Sequence, residues 1–149
     1  MSARREANAV RYLPAQVLRV TCTRRQARAV VDHEFAARGY RLAGSAVTGA
    51  GDDRLTFHWS SPVREAVDDV LGIGVLRSKL RGGPHGFGRV TVDVSGDAPA
   101  TVVTVALRHG VFHAPTVREI LERIIGVFAA AGTLADPGTP ISALDVPPE

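Results

Sequence analysis

The sequence predicts an α+β fold, a curved antiparallel sheet packed against a long C-terminal helix. Two observations predict it. Val117, Ile120, Leu121, Ile124 and Phe128 recur at helical spacing within 116–131 and make one apolar stripe. Before them come several short segments in which apolar and polar residues alternate, the pattern of half-buried strands.

Taken in order, residues 1–12 are polar and basic and are expected to be a disordered tail. A first strand is expected over 17–22, with Leu18, Val20 and Cys22 on one face. Thr23 and Gln26 have capping-box spacing, so a helix should start there and run to about 38. Ala27, Val30, Val31 and Phe35 would face the core, and Gly39 would stop the helix. Residues 40–47 read as a second strand weakened by Gly44, and 48–53 as a turn. In the third strand Leu55, Phe57 and Trp59 oppose Thr56, His58 and Ser60.

Ser61 and Pro62 look like an N-cap and a first helical residue. Val63, Ala66, Val67, Val70 and Leu71 continue at helical spacing, so a short helix is expected between strands. Residues 75–81 fit either a strand or a helix, and Gly72 and Gly74 favour the strand. After a turn over 82–88, Val90, Val92 and Val94 mark another strand, and 95–98 turns the chain. The last clear strand covers 101–109, with Val103, Val105 and Leu107 on one face. Thr116 and Glu119 have the spacing of a second capping box. The plan is one domain over 13–134, then a Pro-rich flexible tail over 135–149.

Composition sets the class. The chain has 149 residues, 45% hydrophobic and 22% charged, which suits a soluble globular domain with a core of its own. The formal net charge is only +3. Two basic stretches stand out: Arg4, Arg5, Arg11, Arg19, Arg24 and Arg25, and later Arg77, Lys79, Arg81 and Arg89. They could meet an anionic partner, but solvated charge is the commoner meaning of such runs, and nucleic acid is not expected as a partner. Cys22 is the sole cysteine, so neither an intramolecular disulfide nor a thiolate metal cluster can form. That fits a reducing cytoplasm. No apolar run is long enough to span a bilayer.

No motif carries a reaction. The stretch Gly82-Gly83-Pro84-His85-Gly86-Phe87-Gly88 is rich in glycine, but a Val-rich strand follows where a phosphate cradle needs a helix. It reads as a hairpin connection, or as a gate carrying His85 and Phe87. His109 and His113 are four apart, yet at a strand end and a turn, so no metal site is expected. Asp68 and Asp69 diverge by about 100° on a helix and form no acid–base pair. Cys22 reads as a buried thiol. Trp59 and Phe57 supply a large aromatic surface, which is either core or the wall of a cavity.

The order strand, helix, antiparallel strands and long C-terminal helix resembles the helix-grip fold of the START and Bet v1-like superfamily. The likeness covers about 17–131 and rests on element order and the stripe from Val117 to Phe128. It departs in having one helix after the first strand and an amphipathic segment between strands. Secretion-chaperone-like folds are the competing plan. The resemblance implies a cavity between sheet and closing helix that takes lipids, hormones or polyketides. Some members cyclise aromatic polyketides, and some protect producers from their own antibiotics. By face periodicity Phe57, Trp59, Phe87 and Val105 would line the sheet side, and Ile120, Ile124 and Phe128 the helix side. The expectation is non-catalytic sequestration of a hydrophobic small molecule, with no cofactor. A cyclase-like enzyme would need His58, His85 or Arg108 to converge on the cavity. A protein-interaction or chaperone-like module is the third reading.

Overall fold

The computed structural model describes residues 10–49, 51–59 and 86–147. The expected helix over 63–71, the stretch 75–81, His85 and residues 1–9 lie outside the described residues. The elements run β1 (Pro14–Val20), α1 (Arg24–Ala37), β2 (Arg41–Val47), β3 (Asp53–Trp59), β4 (Gly88–Asp97) and β5 (Ala100–His109). A 3-10 turn (Val111–His113) then leads into α2 (Ala114–Ala130), followed by β6 (Leu134–Asp136) and β7 (Ile141–Ser142). The strands form one curved, open antiparallel sheet in the order β2-β3-β4-β5-β1-β6, with β7 also paired to β1.

Alternation decides which sheet face is covered. Leu18 and Val20, Leu55 and Phe57, Val90, Val92 and Val94, and Val103, Val105 and Leu107 all enter one core cluster. Helices α1 and α2 lie on that face. Helix α1 contributes Ala27, Val31 and Phe35, and α2 contributes Val117, Ile120, Leu121, Ile124 and Phe128. The stripe in α2 is therefore buried along its length. Burying apolar area is the main favourable term in holding these layers together.

The helices run antiparallel and are tied across their seam. Arg123 bonds Glu34 at 3.1 Å, and Arg38 bonds Glu119 at 2.6 Å. Exposed pairs contribute little, but the Glu34 side chain is only 7% exposed, so losing Arg123 would strand a buried carboxylate.

Helix α1 starts as its sequence predicts. The Thr23 side chain accepts from the Gln26 backbone N–H, and Gln26 returns the bond to the Thr23 backbone. The β4–β5 hairpin adds a second anchor. Asp97 accepts from the Arg24 backbone N–H at 3.0 Å, and that bond, helped by the one from Ala98, holds its carboxyl below the usual range.

Helix α2 starts differently. Thr116 and Glu119 were expected to form its cap, but the helix already begins at Ala114. Pro115 occupies the first turn, where a missing N–H costs nothing, and the 3-10 turn feeds directly into it. Thr116 is thus inside the helix, and Glu119 pairs with Arg38.

Where a loose tail was expected from 135, the chain returns to the sheet. Strand β6 pairs with Arg19 and Val20, and β7 with Pro14 and Ala15. Residues beyond β7 then cross the outer sheet face, where Ala143 and Val146 cover Ala15 and Ala106. Arg108 fastens this segment, donating to the carbonyls of Ala143, Val146 and Pro147 and to Thr91 Oγ1. The prolines hid this because composition does not register an edge strand waiting to be covered.

Replacing Ile124 by Ala should cost about 3 kcal/mol of stability, the usual scale for a large-to-small change in a core. Ile124→Asp should leave no cooperative thermal transition. Arg108→Ala should raise amide exchange across 143–147 while the β3–β5 amides stay protected.

Candidate functional site

One end of the covered face departs from simple apolar packing. Phe57 and Trp59 are successive inward residues of β3. The Phe57 ring is stacked on Phe35 at 4.8 Å. Trp59 lies one step further out, is only half-buried, and meets the His113 ring at 5.2 Å. His113 ends the 3-10 turn and is fully buried.

His113 has polar partners on both ring nitrogens. Nδ1 is 2.6 Å from the Tyr40 hydroxyl, and Nε2 is 3.0 Å from the Gly86 carbonyl oxygen. A carbonyl can only accept, so Nε2 carries a proton. In the neutral ring Nδ1 is then the acceptor, and Tyr40 donates to it. Burial pushes the Tyr40 hydroxyl well above the usual tyrosine range, against a smaller opposing pull from Arg38, so this donor keeps its proton.

Two glycines make room for the ring. A Cβ at Gly88 would sit 2.7 Å from His113 Cε1 and Nε2. Gly110 has φ +94°, and a side chain there would press on the Phe87 carbonyl and the imidazole. The pair therefore depends on bare backbone at β4 and at the β5–α2 turn. It joins three places in the fold: the end of α1, the start of β4, and the entry to α2.

The expected wall residues divide into two groups. Phe57, Val105, Ile120, Ile124 and Phe128 are each at most 2% exposed and belong to one continuous core. Trp59 and Phe87 are half-buried at the same end of the sheet but on opposite faces. Phe87 contacts the rings of His58 at 4.9 Å and His109 at 5.5 Å. Of the expected polar residues, His58 and Arg108 do not converge with Trp59, and His85 lies outside the described residues. His58 alternates away from Phe57, and Arg108 holds the C-terminal segment on the outer face.

Tyr40 and His113 were not foreseen as a pair. Tyr40 seemed only a strand start, and His113 was weighed only as a metal partner of His109. The two histidines serve different sides of the sheet, His109 against Phe87 and His113 against Trp59. The one local signal was a histidine three residues past Gly110 and just before the helix, which gives no hint of a partner 73 residues away.

No family model, no curated protein and no solved structure matches this chain. No helix among the described residues is long and apolar enough to cross a membrane.

Tyr40→Phe should cost about 1–2 kcal/mol by leaving His113 Nδ1 without its donor. The wild type should also carry an alkaline signature. An unfolded tyrosine ionises at about pH 10, whereas the folded one holds its proton to higher pH. The unfolded state then binds fewer protons, so stability is fully present below about pH 10 and falls as pH rises beyond it. Denaturant midpoints measured from pH 8 to 11 should show a fall that is shallower in Tyr40→Phe.

Proposed function

We infer that the chain binds a small apolar or aromatic molecule at the Trp59 end of the helix-covered face. One observation carries this reading: the sole tryptophan is half-buried, beside a fully buried Tyr40–His113 hydrogen bond. Ligand sites combine apolar walls with a few fixed polar groups, and this end has both. Leu42, opposite Phe57 on β2 and therefore on the same face, is 45% exposed and extends the apolar surface. The guest would lie against the indole, next to Leu42.

The START/Bet v1-like plan agrees with an antiparallel sheet and a closing helix, and it supports a hydrophobic guest such as a lipid or polyketide. Sequestration, including self-protection from a natural product, would need only binding. The energetics suit a modest ligand. Burying about 200 Å² of apolar surface yields about 5 kcal/mol before ordering costs, a dissociation constant on the order of 10⁻⁴ M.

Because Trp59 is the only indole, its fluorescence reports on this end alone. Titration with fatty acids, aromatic polyketides and the neutral probe N-phenyl-1-naphthylamine should give a saturable change. Leu42→Asp, at an exposed position, should weaken the probe at least fivefold while the melting curve stays in place. If no compound perturbs Trp59, or if Leu42→Asp binds the probe as wild type does, the reading fails.

A further inference from the structure

The C-terminal return is held to the sheet differently from the strands before it. From Thr133 to Ala143 the chain runs antiparallel along β1. The Thr21 N–H donates to the Thr133 carbonyl at one end, and the Ala143 N–H to the Leu13 carbonyl at the other, both at 2.8 Å. Between these bonds the ladder is broken. Strand β6 opposes Arg19 and Val20, and β7 opposes Pro14 and Ala15. Pro137 and Pro140 stand between the two pieces, and a proline has no N–H to give to a ladder. By contrast, β1 and β5 oppose each other without a break from Ala15–Ala106 to Val20–Thr101.

The apolar contacts divide in the same way. Leu134 packs against the main core, whereas Ile141, Ala143 and Val146 belong to the small cluster with Ala15 and Ala106 on the outer face. Leu18 and Val20 tie β1 to the main core from its helix side. Residues 134–147 are thus a strap laid over a sheet that is already built. Local opening costs least where apolar contacts are few and pairing is short.

The bed under the strap recognises mainly backbone. Arg108 donates to the carbonyls of Ala143 at 3.1 Å, Val146 at 3.3 Å and Pro147 at 2.6 Å, and Gln16 Nε2 donates to that of Pro137 at 2.7 Å. Any extended chain offers such acceptors. Three positions add selectivity. Gly138 has φ +65°, and a Cβ there would collide with the Val17 carbonyl, so glycine is required. Ala143 and Val146 fill the small cluster, where a charged side chain would be stranded.

We propose that the outer edge of β1, with Ala15, Gln16, Ala106 and Arg108, is a binding site for an extended peptide with the spacing of Gly138, Ala143 and Val146, and that the chain's own residues 134–147 occupy it as a displaceable strap. A second polypeptide enters by strand addition when the strap lifts, and the tethered strap holds the site shut by its high local concentration. The site does not involve the Trp59 surface, so neither reading depends on the other.

The test uses the full chain with its strap loosened, and a labelled synthetic peptide of residues 134–147 as the probe. Val146→Asp puts a charge into the small cluster, and Gly138→Val forces a β-branched residue into a left-handed conformation against Val17. Each changes the strap and leaves its bed intact. In both, amide exchange across 134–147 should rise while the β3–β5 amides stay protected. Both should bind the probe at least tenfold more tightly than the wild type does, because the wild-type strap competes. A probe carrying the two substitutions should bind at least tenfold more weakly than the unaltered one. Arg108→Ala added to Val146→Asp should weaken the unaltered probe at least fivefold. Equal probe affinity for the wild type and the loosened chains, equal affinity of the two probes, or no effect of Arg108→Ala would overturn the proposal. So would loss of the cooperative melt in both loosened chains, since residues 134–147 would then be part of the core and not its cover. Where one of the two still melts cooperatively, its probe affinity decides.

Discussion

The fold depends on one constraint: a single apolar face, built from β1, β3, β4 and β5, is covered by α1 and α2, which reach it from different parts of the chain. Helix α1 follows β1 and α2 follows β5, and these two strands are neighbours in the sheet. Because β1 and β5 run antiparallel, their helices enter from opposite ends of the same face and lie next to each other. The antiparallel seam, with Arg123 on Glu34 and Arg38 on Glu119, follows from that adjacency. Phe35 and Phe57, stacked at 4.8 Å, bring α1 and β3 into one aromatic contact.

The covering is uneven, and the unevenness creates the candidate site. Strand β2 lies at the sheet edge, and all its residues are exposed. At the Trp59 end the core needs a partner that is neither helix nor strand. His113 fills that place from the turn before α2, and its two ring nitrogens must then be satisfied by whatever surrounds them. Tyr40 and the Gly86 carbonyl do this. The polar pair is thus a consequence of how the end of the core is closed. It also sets a buried polar pair beside an indole.

Much of the architecture was legible because it is written in short-range pattern. The Thr23–Gln26 box, the period-two alternation of β3, β4 and β5, and the α2 stripe each act within a few residues. The failures were of two kinds. Thr116 and Glu119 matched a capping box, but Pro115 and the preceding 3-10 turn had already begun the helix. The return of the chain at β6 and β7 depends on an uncovered side of β1, which no window of local sequence contains. Tyr40 and His113 meet only through the fold. The opposition of Arg41, His58, Arg89 and His109 across β2 to β5 is a matter of register, and register is fixed by partners distant in sequence.

The outer sheet face shows how charge is used inside the fold. Ala15 and Ala106 offer a small apolar spot, and Ala143 and Val146 cover it. Arg108 reaches from beneath to three carbonyls of the covering segment, so its charge is used to hold backbone in place. Nearer the middle, Arg54 is matched by Asp93. Arginines on one surface are thus put to two uses within the fold: Arg108 fastens a segment of backbone, and Arg54 pairs with a carboxylate.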